Sequence, residues 1–120
     1  MYNYKAVVMR VVDGDTLDVR IDLGFKLTFD TRVRLYGINT PETRTRNKKE
    51  KAAGLAAKQY VIDALAPNDD EIRLDTAKQG KFGRYLAKVW IMNNDKKSYR
   101  LLNTRLLDAG HAKEYYGGKR

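Results

Sequence analysis

The chain contains no cysteine, one histidine and one serine. The missing cysteine excludes disulfides, thiolate metal sites and a thiol nucleophile. A Ser-His-Asp triad would have to use both Ser98 and His111, and neither sits in a nucleophile context. No apolar run approaches the length of a membrane span. The opening residues, MYNYKAVVMRVVDGD, do not read as a secretory signal, because Arg10 and Asp13 break an apolar part that is already short. A cytoplasmic location and secretion after processing are both compatible with that, and the compartment stays open. With these groups missing, hydrolytic chemistry falls to carboxylates, Arg or Lys, and a hard metal ion.

What the chain does have is positive charge. Its 24 basic and 15 acidic residues leave +9 over 120 residues, a length that fits one domain spanning 1–120. Such an excess favours a polyanionic partner, nucleic acid first. A membrane partner is not expected, because no basic amphipathic helix is evident. The expected state is a monomer.

The first third reads as strands. Residues 4–12 are rich in Val and Tyr. In VVDGDTLDV (11–19) the Asp-Gly pair between apolar residues predicts a hairpin turn centred on Asp13 and Gly14, both with positive φ. Leu17, Val19, Ile21 and Leu23 alternate with polar residues, a half-buried strand. After Gly24 the pattern continues through Phe25, Leu27, Phe29, Val33 and Leu35, with a bulge expected near Asp30. Pro41 then holds Thr40 out of the helical region, and five cations follow: Arg44, Arg46, Lys48, Lys49 and Lys51. Asn47 and Glu50 predict a capped helix start. That helix should run to about Ala66, before Pro67, with Ala53, Ala57, Tyr60, Val61 and Ala64 as its apolar stripe. Gly54 costs it about 1 kcal/mol relative to Ala. EIRLDT and RYLAKVWIM read as two further strands, joined by a flexible, basic AKQGKFG loop. Leu102, Leu106 and Ala109 fall at helical spacing, with Gly110 just past the end. The order β-β-β-α-β-β-α matches a five-stranded OB-type barrel with helices.

Three segments are chemically suggestive: DGDT (13–16), RLYGINTPE (34–42) and KFGR (81–84). Asp15 offers a carboxylate, Asn39 an amide oxygen and Thr40 a backbone carbonyl, all ligands suited to Ca²⁺ or Mg²⁺. An EF-hand starting at Asp13 fails, because its sixth position is Asp18 and its twelfth is Gly24. Glu42 can act as a general base on water. Arg34 and Arg84 can hold a phosphate and stabilise charge building on its oxygens. Each residue also has an ordinary reading as a turn, strand or loop residue, and local spacing does not separate the two.

The ordered combination does more. VDGDT, the R-L-x-G-I-x-T-P-E segment, K-F-G-R and a late G-x-A before a Tyr pair resemble the staphylococcal nuclease (thermonuclease) family, from about Tyr4 to Tyr116. The resemblance implies an OB-type barrel that cleaves DNA and RNA, single strands preferred, with little sequence specificity and using Ca²⁺. It implies Asp15 and Thr40 as metal ligands, with Asn39 at the position of a second metal-binding carboxylate. Glu42 would be the general base, and Arg34 and Arg84 the phosphate-binding arginines. Lys81, Tyr115 and Tyr116 complete the expected substrate-binding set. Asn39 keeps an oxygen ligand but lacks a negative charge, which weakens Ca²⁺ binding. A catalytically weak or inactive module that binds nucleic acid or protein is therefore the alternative.

Overall fold

A computed structural model describes residues 2–79 and 85–116. Strands β1 (Tyr2–Asp13), β2 (Thr16–Gly24) and β3 (Leu27–Leu35) form the expected antiparallel meander. A two-residue strand, β4 (Ile38–Asn39), follows, and then helix α1 (Lys48–Leu65). A single 3₁₀ turn (Ala66–Asn68) places Pro67 in its first positions. It leads into β5 (Glu71–Gln79), which precedes β6 (Tyr85–Met92), β7 (Tyr99–Leu101), α2 (Leu102–Asp108) and β8 (Lys113–Glu114). The main sheet runs β3-β2-β1-β5-β6-β7, and parallel pairing of β3 with β6 closes five of these strands into a barrel. The fold is thus the expected OB-type barrel with helices.

Alternation fills the barrel. Leu17, Val19, Val33, Leu35, Leu74, Ala87, Val89 and Ile91 are all at most 1% exposed. Val61 and Leu65 of α1 and Leu102 and Leu106 of α2 pack against them. Burying side chains of this size contributes roughly 1.5–3 kcal/mol each. Asn103 is a buried polar residue whose role the sequence pattern does not reveal. It accepts from Val89 N and donates to the carbonyls of Tyr36 and Ala87, clamping α2 to the β3 and β6 chain ends.

Several local expectations need correction. The β1–β2 turn comprises Gly14 and Asp15 between the paired Asp13 and Thr16, and none of Asp13, Gly14 and Asp15 has a positive φ. Gly14 is required by close approach instead: a Cβ there would lie 2.9 Å from Ala57 Cβ and 3.1 Å from Thr40 Cγ2. No bulge occurs at Asp30, because Arg20 and Asp30 are directly paired and joined by a two-point ion pair. The register shift falls between Asp22 and Gly24 instead. Phe25 is not in a strand but at the β2–β3 hairpin tip, with φ 53° and 99% exposure. On α1 the buried face is Gly54, Ala57, Val61 and Leu65, while Ala53 is exposed. Residues 77–79 of the expected loop extend β5, and residues 80–84 lie outside the described set. The strands β4, β7 and β8 are two or three residues long, too short for a period-2 pattern to register.

Candidate active site

The candidate site is built where the β1–β2 turn meets the end of β3 and the loop after β4. Asp15 sits in the turn and is 2% exposed. Burying a carboxylate demands hydrogen-bond donors. Thr40 N donates to Oδ2 at 3.1 Å, and the Thr16 hydroxyl donates to Oδ1 at 2.9 Å. Leu35 N also donates to the Asp15 carbonyl, fixing the turn against β3.

Arg34 belongs to the same cluster. It pairs with Thr16 across the β2–β3 ladder, so its side chain leaves the sheet beside Asp15. Its Nη2 lies 3.2 Å from Asn39 Oδ1 and 3.7 Å from Asp15 Oδ2, and its guanidinium stands over the Tyr115 ring at 5.1 Å. Asp15, Arg34, Asn39 and Thr40, together with Tyr115, are therefore gathered from four separate segments. The β4–β8 pairing places Asn39 opposite Lys113, and Tyr115 N donates to the Gly37 carbonyl. Tyr116 packs edge-on against Tyr36 and over Gly37, yet stays 70% exposed.

Glu42 is exposed, but its backbone is tightly held. A Cβ on Gly54 of α1 would lie 2.5 Å from the Glu42 carbonyl oxygen and 2.9 Å from that of Pro41. The glycine that weakens the helix therefore lets the Glu42 loop lie flat on it. One residue later, the Thr43 hydroxyl and N–H donate to Asp13 Oδ1, at 2.6 Å and 3.4 Å. Asp13 is thus a tie between the turn and the Glu42 loop, a role not visible in local sequence. Asn39, Thr40 and Glu42 line one groove with Thr45, His111 and Lys113. Arg84 and Lys81 lie outside the described residues.

Asp18, the third acid of VVDGDTLDV, lies further along on β2. Arg32 holds it with two hydrogen bonds, and these keep its carboxyl below the usual carboxylate range although partial desolvation opposes them.

A closed five-stranded barrel with such a polar cluster at one end defines an OB-type domain. The family model described as "Staphylococcal nuclease homologue" matches residues 32–120, and the chain belongs to that family. It is 36% identical to a thermonuclease of Staphylococcus intermedius over 85 residues, covering 71% of this chain and 48% of that protein. It is 32% identical to a thermonuclease of Staphylococcus hyicus, covering 70% and 47%. It is 26% identical to endonuclease YhcR of Bacillus subtilis, covering 94% of this chain and 9% of that one. The chain spans about half the length of the staphylococcal relatives.

Proposed function

We propose that this chain is a metal-dependent endonuclease that hydrolyses phosphodiester bonds of DNA or RNA with little sequence specificity. The observation that supports it most is the convergence of Arg34 with Asp15 and Asn39 at one end of the barrel, beside the anchored Glu42 loop. The thermonuclease and endonuclease relatives support the same reaction class.

The proposed metal ligands are Asp15, Asn39 and the Thr40 carbonyl. This donor set is all oxygen, which fits a hard divalent cation such as Ca²⁺. The Asn39 and Asp15 side-chain oxygens lie 3.2 Å and 3.7 Å from the same Arg34 nitrogen, so the two proposed ligands share one neighbourhood. Asp15 is the single carboxylate of this proposed set, and among the described residues no three His, Cys, Asp or Glu side chains cluster. When bound, the cation would supply positive charge against the phosphate oxygens and polarise the P–O bonds.

The remaining steps belong to this chain's own side chains. Glu42 takes a proton from a water aligned opposite the leaving oxygen. Arg34 donates to a non-bridging phosphate oxygen, and stacking on Tyr115 restricts the guanidinium plane. Arg84 is the second phosphate donor, and it or a water protonates the departing 5′ oxygen, leaving a 3′-phosphate. Tyr115 and Tyr116 provide ring faces for a base, and Lys81 a further phosphate contact.

The test is incubation with denatured DNA in Ca²⁺, in Mg²⁺ and with chelator, comparing the unsubstituted chain with Arg84→Ala. Metal-dependent cleavage that falls by about a hundredfold or more on removing Arg84 supports the reading. Absence of metal-dependent cleavage, or cleavage indifferent to the substitution, rejects it in favour of a binding module.

A further inference from the structure

Helix α1 carries its charges against its own dipole. Peptide dipoles leave the N-terminal end positive, which favours acids there and bases at the other end. Lys48, Lys49 and Lys51 stand at the N-terminal end, with Glu50 as the single acid of the first turn. No basic residue lies in the last turn, which holds Asp63. Arg44 and Arg46 precede the helix, so five cations lie within residues 44–51, all exposed. Among the described residues none of the five makes an ion pair or a side-chain hydrogen bond. A face that only keeps a protein soluble mixes both signs. This one sets five cations against one acid where the helix disfavours positive charge.

Its position is anchored. The cationic run starts two residues after Glu42, on the loop tied to Asp13 through Thr43 and seated on Gly54. Thr45 and Glu50 line the groove that also contains Asn39, Thr40 and Glu42. None of the five cations lines the groove itself; Arg44, Arg46, Lys49 and Lys51 adjoin Thr45 and Glu50 in the chain, so a strand leaving the candidate site past the α1 edge of the groove meets them there.

We infer that residues 44–51 are a track for the phosphate backbone of a single-stranded nucleic acid beyond the cleavage site, and that they make this domain select long strands over short ones. The inference rests on the nucleic-acid reading above and adds the length of substrate that the site recognises. Single-strand contacts of this kind release about 0.7 counterion each, so their number is read from the salt dependence of binding.

The test uses the whole chain and a variant carrying Arg44→Gln, Arg46→Gln, Lys48→Gln and Lys49→Gln. Fluorescence anisotropy with chelator present measures binding to a single strand of about 20 nucleotides and to a tetranucleotide, over a range of salt. The variant should bind the long strand about tenfold or more weakly at low salt, with a salt slope shallower by about 3. Its affinity for the tetranucleotide should change less than about twofold, because the cleft is untouched. Its thermal midpoint should rise, because the dipole is no longer opposed. An unchanged slope and affinity for the long strand, or equal losses on both lengths, overturns the inference. Long-strand binding that depends on these cations, without cleavage by the unsubstituted chain in any metal, rejects the endonuclease reading alone.

Discussion

Adding a methyl group at Gly54 would place it 2.5 Å from one backbone oxygen and 2.7 Å from a backbone carbon of Glu42. Helix propensity favours Ala there by about 1 kcal/mol. The clash is with backbone, which cannot swing aside, so overpacking should win. Gly54→Ala is expected to lower stability by about 1–3 kcal/mol and to reduce turnover by displacing Glu42, checked by thermal melts alongside cleavage rates. Asn39 carries the second residue-scale expectation. Asn39→Asp adds a charge to the proposed ligand set, so half-maximal activity should need about tenfold less Ca²⁺. An unchanged requirement in a Ca²⁺ titration would remove Asn39 from the ligand set.

At the scale of elements, the β2–β3 hairpin turns through Phe25 and Lys26 with φ 53° and 64°, a conformation that suits Asn-Gly. Phe25 regains nothing through burial, being 99% exposed. The double change Phe25→Asn, Lys26→Gly should therefore raise stability by about 1 kcal/mol in denaturant melts. The neighbouring Asp18–Arg32 pair makes a pH-dependent prediction. Asp18 is held below its ordinary pKa, so its contribution is present above the unfolded value and lost as pH falls through the folded one. Both partners are partly solvated, so Asp18→Asn should cost only about 0.5 kcal/mol at neutral pH. That difference should shrink as pH falls below the ordinary Asp range and through the lowered folded value.

Elements defined by contiguous pattern were legible in the sequence. Leu17, Val19 and Ile21 announced β2 by alternation. Asn47 and Pro67 bracketed α1, whose cap is indeed Asn47 accepting from Glu50 N at 3.1 Å. The turn conformation expected of Gly14 is not adopted, and the reasons for Gly14 and Gly54 lie across space, in Thr40, Ala57 and Glu42. The Asp13–Thr43 tie and the Asn103 clamp escaped for the same cause, since each joins segments about thirty to seventy residues apart. Site candidates emerged from the ordered co-occurrence of DGDT, RLYGINTPE and KFGR, which no single segment carried.

Across the whole molecule, the barrel supplies a rigid frame and the loops at one end carry the residues of the proposed chemistry. Asp15 stands in the β1–β2 turn and Arg34 at the adjoining end of the β2–β3 ladder, whereas Glu42 depends on a loop fitted to a helix. The +9 net charge draws polyanions towards this frame over a range set by ionic strength. In the proposed reaction Glu42, presented by that fitted loop, activates the attacking water. Its most direct test is the cleavage rate of denatured DNA by Glu42→Gln against the unsubstituted chain, at saturating metal and substrate. The expected result is a fall in kcat of about a hundredfold or more, with strand affinity in chelator unchanged. A kcat within a few-fold of the unsubstituted chain would contradict it.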